Sequence, residues 1–206
     1  MKRILLIGLI FLLLVSFTGC LVGKVEYELN EAGIIKPEVA EKVIAQKAKT
    51  LITAIAEQDA QTISEFVHPS KGVRFTPYTS VDLEGDLVFT KVEMRDFFED
   101  QKVYFWGLYD GIGSEILLTP SEYYQEFIYS RDFKNAEEVA YNEVLSQGNA
   151  VENQFEVYEK PIVVEYYFPG EHPEYGDMDW KGLRLVFEQV KGEWLLVGII
   201  HSQWTI

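Results

Sequence analysis

The stretch Leu183–Trp204, LRLVFEQVKGEWLLVGIIHSQW, decides the fold. Apolar side chains stand at positions 183, 185 and 187, whereas Arg184 and Glu188 take the opposite face of the same extended segment. Lys191-Gly192 then predicts a tight hairpin turn between two long strands. The second strand is apolar on both faces from Trp194 to Ile200, which predicts either a central place in the sheet or a strand covered by helices.

Upstream of this hairpin, the pattern is helical from Pro37 onwards. Apolar residues recur at three- and four-residue steps and predict one amphipathic helix with an apolar stripe of Val39, Val43, Ile44, Ala48, Leu51, Ile52 and Ile55. Asp59 is the expected N-cap of a second, shorter helix, and His68-Pro69 ends it.

Short strands and helices alternate in the middle of the chain, with a charged helix over Lys91–Asp100, and Ile162–Phe168 is a further strong strand. Helices followed by strands predict an α+β fold, in which N-terminal helices pack on a curved antiparallel sheet that ends in a long hairpin.

The first twenty residues have the features of an export signal. Lys2 and Arg3 precede an apolar run, Ile4–Phe17, that is short for a membrane span. The run ends in Phe17-Thr18-Gly19-Cys20, which resembles the lipobox of bacterial lipoproteins, although leucine is usual where Phe17 stands. The resemblance implies a signal peptide at 1–19, a diacylglycerol on Cys20, a tether at 20–36 and one domain at 37–206. We therefore expect a lipid-anchored protein in the bacterial cell membrane, facing outside the cytoplasm.

Charge and motif content exclude several classes of function. Removing residues 1–19 takes two of the 18 basic residues and none of the 33 acidic ones, so the remaining chain has a formal charge of −17. Such a surface repels nucleic acid and anionic headgroups. The sequence contains no glycine-rich phosphate loop and no paired-histidine zinc motif, and we predict no cofactor and no metal site. The acidic loop around His172 matches no standard metal spacing and is interpreted as a solvated loop.

Three stretches resemble an uncharacterised family of bacterial lipoproteins in the NTF2-like superfamily. They are Val67–Phe75, Tyr104–Gly111 (YFWGLYDG) and residues 194–206 (WLLVGIIHSQWTI). The resemblance implies an α+β cone whose interior is a candidate pocket, and a homodimer through the convex face of the sheet as one arrangement. It implies no particular reaction, because the superfamily includes isomerases, dehydratases and binding modules alike.

The candidate site residues follow from this cone. His201 near the end of the last strand and Asp110 are the catalytic candidates, because a buried carboxylate–histidine pair suits proton transfer. Arg74, Tyr104, Trp106 and His201 are the candidate ligand-binding residues. Each has a structural alternative: His201 as a hydrogen-bonded core residue, Trp106 as core packing and Asp110-Gly111 as a turn.

Two questions stay open at this level. Arg184 stands among apolar strand residues, where it either meets an anionic ligand or pairs with Glu165 or Glu188. Three functions compete: a binding module for a small ligand or an envelope protein, an acid–base enzyme of the isomerase or lyase type, and a structural accessory of the envelope. An open polar cavity would favour the first two, and a filled interior the third.

Overall fold

The computed structural model describes residues 26–146, 148–172, 174, 176 and 178–205. The predicted signal peptide and Cys20 lie outside these residues. No helix in the described ranges is long and apolar enough to cross a membrane. The element bounds are α1 Pro37–Ala56, α2 Ala60–Phe66, β1 Val73–Thr76, β2 Leu87–Phe89, α3 Lys91–Arg95, β3 Tyr104–Leu108, β4 Glu115–Leu118, α4 Pro120–Tyr123, β5 Glu138–Tyr141, α5 Gln154–Val157, β6 Ile162–Phe168, β7 Lys181–Val190 and β8 Glu193–Gln203.

The C-terminal hairpin forms as the sequence predicts. Strands β7 and β8 pair antiparallel along their whole length, and both residues of the turn have positive φ, 51° at Lys191 and 89° at Gly192. Such angles suit the two-residue turns whose twist matches the flanking strands. Strand β8 lies inside a curved six-stranded sheet of order β2-β1-β8-β7-β6-β5. Residues on both faces of β8 are buried.

One feature of the predicted sheet is wrong. Strand β1 runs parallel to β8, with Arg74 opposite Gly198 and Thr76 opposite Ile200, so the sheet is mixed rather than antiparallel. Side-chain alternation reports which face a residue takes but not the direction of its strand. The direction of β1 is set by the path that the chain takes from α2, which no local pattern records.

The helices follow their predicted signals closely. Helix α1 starts at Pro37 and buries Ile44, Ala48, Leu51, Ile52 and Ile55 of the predicted stripe. Asp59 caps α2 by accepting a hydrogen bond from the Thr62 amide at 3.0 Å, as predicted. The charged helix predicted to reach Asp100 ends at Arg95 instead. Turns follow Arg95 and bury Phe97 beneath the sheet, and burial of this ring outweighs the local helical pattern.

Both faces of the central strands are covered. The helices, and a separate two-stranded sheet of β3 and β4, cover one face and enclose the main core. The opposite face is covered by the strap, which we define as residues 142–161, and by the loop 78–86. On that face Tyr158 lies over Gly198, where a Cβ atom would come within 2.4 Å of the Tyr158 hydroxyl oxygen. Gly198 therefore lets the strap approach the sheet closely.

Candidate functional site

Aromatic side chains fill the space between the helices and the sheet. The Trp106 ring stacks on Tyr123 with 3.8 Å between ring centroids, and it also lies parallel to Phe89 at 5.6 Å. Phe75 and Phe97 stack beside them at 5.3 Å. The cavity in this core has a volume of about 10 Å³ and is lined by apolar residues such as Met94 and Ile128. That space is about one water molecule and accepts no larger ligand.

His201 lies at the edge of this core, almost fully buried. Its Nδ1 is 2.9 Å from the Pro77 carbonyl oxygen, which can only accept, so Nδ1 carries the proton. Nε2 is buried and has no hydrogen-bond partner among the described residues. Burial lowers the pKa of His201 to about 4, so the ring is neutral near pH 7. The Phe127 ring contacts it edge-on at 5.4 Å between centroids.

Asp110 does not join His201 in a hydrogen-bonded pair. It lies exposed in the β3–β4 turn, and its Oδ1 accepts a hydrogen bond from the Gly111 amide at 3.0 Å. The Asp110 backbone reaches the hydroxyl of Tyr78, whose ring is 6.5 Å from the His201 ring. Asp110-Gly111 therefore forms a turn, as its structural alternative predicts. The turn nevertheless lies near the His201 end of β8.

The predicted ligand-binding residues do not meet in one cavity. Trp106 is a core residue whose Nε1 donates to the Leu118 carbonyl at 2.9 Å. The Tyr104 hydroxyl donates to Asp100 at 2.7 Å. Arg74 lies on the other face of the sheet, where its Nη1 donates to the backbone carbonyls of the loop 82–86 at 3.0–3.3 Å. Each of these three side chains therefore donates its hydrogen bonds to other groups of the protein.

Asp86 lies beside Arg74, and the pKa of its carboxyl group is raised. Its Oδ2 accepts hydrogen bonds from the Thr76 hydroxyl at 2.5 Å and from the Asp82 amide at 3.0 Å. Burial raises the pKa of Asp86 to about 6 in spite of these donors. No motif marked this carboxyl group, because it lies in a turn whose sequence resembles an ordinary solvated loop.

A buried charged cluster lies under the strap, and Arg184 is its centre. The Arg184 side chain is 0% exposed. Its Nε donates to Glu165 on β6 at 3.1 Å, and its Nη1 and Nη2 donate to the two carboxylate oxygens of Glu152 at 2.5 and 3.0 Å. Of the two predicted partners, Glu165 pairs with Arg184, whereas Glu188 pairs with Lys71. No sequence pattern around Glu152 predicts that it pairs with Arg184, so this partner was not identified from the sequence.

Neutral polar groups complete this cluster. The Ser146 hydroxyl accepts from Arg184 Nη2 at 2.7 Å and itself donates to Glu165. The Leu145 amide donates to the second oxygen of Glu165 at 2.6 Å. Gln154, which is buried, approaches Arg184 Nη1 at 3.5 Å. The strap thus contacts the sheet through this cluster, in addition to the contact of Tyr158 with Gly198.

Hydrogen bonds join described residues within the acidic loop around His172. Asp179 accepts from the backbone amides of Glu171 and His172 at 3.3 and 3.5 Å. Positions 173, 175 and 177 lie outside the described residues. Within the described ranges, no group of three or more histidine, cysteine or acidic side chains is placed to hold a metal ion.

Residues 26–36 of the predicted tether pack on the domain. The Tyr27 hydroxyl accepts from Trp194 Nε1 at 3.3 Å and from Gln189 at 3.2 Å, next to the β7–β8 turn. Ile35 is buried, and its carbonyl accepts from Asn142 at 2.9 Å. These residues therefore form part of the folded domain. A cavity of about 440 Å³ lies between this segment, the hairpin and the end of the strap.

The outer face of the β3–β4 sheet is apolar and exposed. Phe105 and Leu117 are directly opposed across the two strands, and each is about half exposed, at 47% and 52%. Val103 and Leu108 are exposed beside them, and Ile112 in the turn is 75% exposed. In the part of the chain that the structure describes, neither strand pairs with a third strand. We call these five side chains the apolar hairpin face.

Comparisons with known proteins give a distant structural similarity. No family model matches the chain, and no curated protein matches it. A solved structure, a putative calcium/calmodulin-dependent protein kinase II association domain from Xanthomonas campestris, is 11% identical over 78% of this chain and 84% of that chain, with a TM-score of 0.33. The α+β class therefore rests on the helices and the curved mixed sheet themselves.

Proposed function

We propose that this chain is a lipid-anchored, extracytoplasmic interaction module with an NTF2-like cone, and that it binds a partner protein on the apolar hairpin face. The observation that carries the proposal is the contrast between an interior filled by aromatic rings and an exterior on which Phe105 and Leu117 are opposed and exposed, with Ile112 exposed in the turn of the same hairpin. Exposed apolar side chains that cluster on one face mark interaction sites in soluble domains. The cone here is a scaffold, and the binding surface lies outside it.

The size and surroundings of the face indicate the kind of partner. A stable dimer uses roughly 20–30 residues on each side, which is far more than five side chains. Two free strand edges suit an extended segment that adds a strand and places alternate side chains on the face. Glu115 lies opposite Leu108, Asp110 lies in the turn, and Lys102 lies over the Tyr104 ring. The best fit is an extended segment with alternating apolar residues and flanking lysine or arginine.

The position of the face relative to the anchor supports a partner beyond the bilayer. Tyr27, seven positions after Cys20, contacts Trp194 at the β7–β8 turn. The β3–β4 turn lies at the other end of β8, near His201. Trp194 and His201 are separated by about 23 Å at the rise of an extended strand. Tyr27 thus joins the domain at the end opposite the β3–β4 turn, and we propose that a chain anchored through Cys20 presents the apolar hairpin face away from the membrane surface.

The anchor itself is testable. Changing Cys20→Ser removes the thiol that would carry diacylglycerol, so we expect the chain to persist as the precursor, neither lipidated nor cleaved before residue 20. Intact-mass measurement of the wild type should give a mature chain beginning at Cys20 with a diacyl mass added. A wild-type chain without that mass, together with normal maturation of Cys20→Ser, would show that the lipoprotein assignment is wrong.

The partner surface is testable in the bacterial host. We expect a photo-crosslinking amino acid at Leu117 to give one discrete adduct, and the same amino acid at Val139 to give none. Val139 is the matched control, because it is an exposed apolar residue of a strand, β5, in another sheet. Adding Phe105→Asp to the Leu117 probe should remove the adduct, since a charge on the face opposes burial.

Mass spectrometry of the crosslinked peptide decides whether the partner has the proposed chemistry. An extended segment with alternating apolar residues and adjacent lysine or arginine supports the proposal. Equal adducts at Leu117 and Val139, or no adduct at Leu117, would contradict the proposal. A crosslink to a second copy of this chain would contradict the choice of partner.

A further inference from the structure

The buried cluster under the strap contains more negative charge than its cation requires. Glu165 and Glu152 both bind the guanidinium of Arg184, which is the one cation within the cluster among the described residues. Glu165 alone matches the charge of Arg184, and burial of unmatched charge is costly. The second carboxylate is therefore not needed to neutralise the arginine.

The two carboxylates are held very differently. The Glu165 side chain is 0% exposed, belongs to β6 and accepts hydrogen bonds from Leu145 and Ser146 as well as from Arg184. The Glu152 side chain is 33% exposed and belongs to the strap. Its two oxygens meet Nη1 and Nη2 of Arg184 in the bidentate geometry that arginine offers to any carboxylate. Glu165 is thus fixed in the sheet, whereas Glu152 occupies its position from the solvent side.

We infer that Arg184 is a binding site for a small carboxylate, and that Glu152 is a built-in carboxylate that closes the site in the free protein. A ligand carboxylate would take the place of Glu152 on Nη1 and Nη2, with the Ser146 hydroxyl and the Gln154 amide beside it. The site lies on the strap side of the sheet, so it is independent of the apolar hairpin face.

The construction of the strap fits such an exchange. Asn142 and Lys160, near its two ends, have φ values of 53° and 45°, a left-handed conformation that marks sharp changes of chain direction. Next to Glu152, Asn153 makes two hydrogen bonds with the Val81 backbone, at 2.8 and 2.9 Å. These bonds hold the strap in place when the Glu152 side chain turns outwards. Displacement of Glu152 therefore requires a side-chain rotation and no unfolding of the strap.

The test is rescue of a Glu152 variant by an added carboxylate. The Glu152→Ala variant of the full-length chain is prepared in non-ionic detergent micelles. Its Tm in sodium acetate is compared with its Tm in sodium chloride of equal ionic strength. We expect Glu152→Ala to melt below the wild type, and acetate at about ten times its Kd to raise the Tm of the variant by about 3 °C. In the wild type, the rise in Tm per unit of acetate concentration should be at least tenfold smaller, because Glu152 competes with acetate for Arg184.

Controls separate the proposed site from general effects of salt. Glu171→Ala removes the surface partner of Arg131, at 2.6 Å, and should gain nothing from acetate. Adding Arg184→Met to Glu152→Ala should abolish the response. Inorganic phosphate should rescue less well than acetate, because its extra charge adds to that of Glu165.

Three outcomes would overturn the inference: a response to acetate no larger than to chloride, the same response in Glu171→Ala, or rescue by phosphate alone. If Glu152→Ala does not fold, Glu152→Gln replaces it, since the amide keeps one hydrogen bond to Arg184 without the charge. An absence of acetate binding to Glu152→Gln by isothermal titration would then overturn the inference. Failure here leaves the crosslinking result at Leu117 unaffected.

Discussion

Trp106→Ala is expected to lower the free energy of unfolding by about 3–5 kcal/mol, the range for removal of a buried tryptophan. The indole is 1% exposed, stacks on Tyr123 at 3.8 Å and bonds the Leu118 carbonyl through Nε1. Its removal leaves a large cavity among rigid rings and an unpaired carbonyl oxygen. Urea unfolding followed by circular dichroism measures the loss.

The neighbouring residue provides the control for this prediction. Phe105 is also aromatic and belongs to the same strand, but its side chain lies on the exposed face of β3. Phe105→Ala should change the free energy of unfolding by no more than about 1 kcal/mol. Equal losses in the two variants would show that Trp106 is not the centre of the core, and the filled interior would need another explanation. An open pocket would then again be a reasonable expectation.

Arg184→Ala is expected to lower the free energy of unfolding by about 3–5 kcal/mol, because it leaves an uncompensated charge in the interior. Glu165 would lose its cation while remaining fully buried, and Glu152 would lose the group that holds it to the sheet. Thermal unfolding at pH 7 measures the effect. The strap should also become more sensitive to proteolysis, since the ion pair between its Glu152 and Arg184 on β7 is gone.

Two further variants test whether charge compensation is the cause. Arg131→Ala removes a surface ion pair with Glu171 and should cost at most about 1 kcal/mol. Changing Arg184→Met together with Glu165→Gln removes both buried charges, and it should recover part of the lost stability. If Arg184→Ala is no worse than Arg131→Ala, the buried cluster contributes little to the attachment of the strap.

Much of the fold was predictable from local patterns. The alternation before Lys191-Gly192 and the two-sided apolar strand after it predict β7, the turn and a β8 that is central or covered by helices, and the structure places β8 inside the sheet. The apolar stripe after Pro37 and the cap at Asp59 predict α1 and α2. These features depend on residues a few positions apart, whose spacing alone determines the face they take.

The candidate site depends on contacts between residues far apart in sequence. Arg184 meets Glu165, 19 positions away, and Glu152, 32 positions away, and neither spacing is a motif. His201 and Asp110 were predicted as a pair by resemblance, yet one is buried against Pro77 and the other lies in an exposed turn. Sequence alone left open whether Trp106 lines a pocket or fills it. The positions of Tyr123 and Phe89 decide that it is a core residue.

The sequence by itself determined α1, α2, the C-terminal hairpin and the acidic net charge, and it predicts the lipid anchor, because each follows from composition or from spacing within one element. Only the tertiary structure decided that the interior is filled, that β1 runs parallel to β8, and that the strap buries Arg184 with two carboxylates. The physical reason is that packing and charge pairing act between side chains brought together by the whole chain. Their partners are chosen by three-dimensional proximity, which local periodicity does not encode.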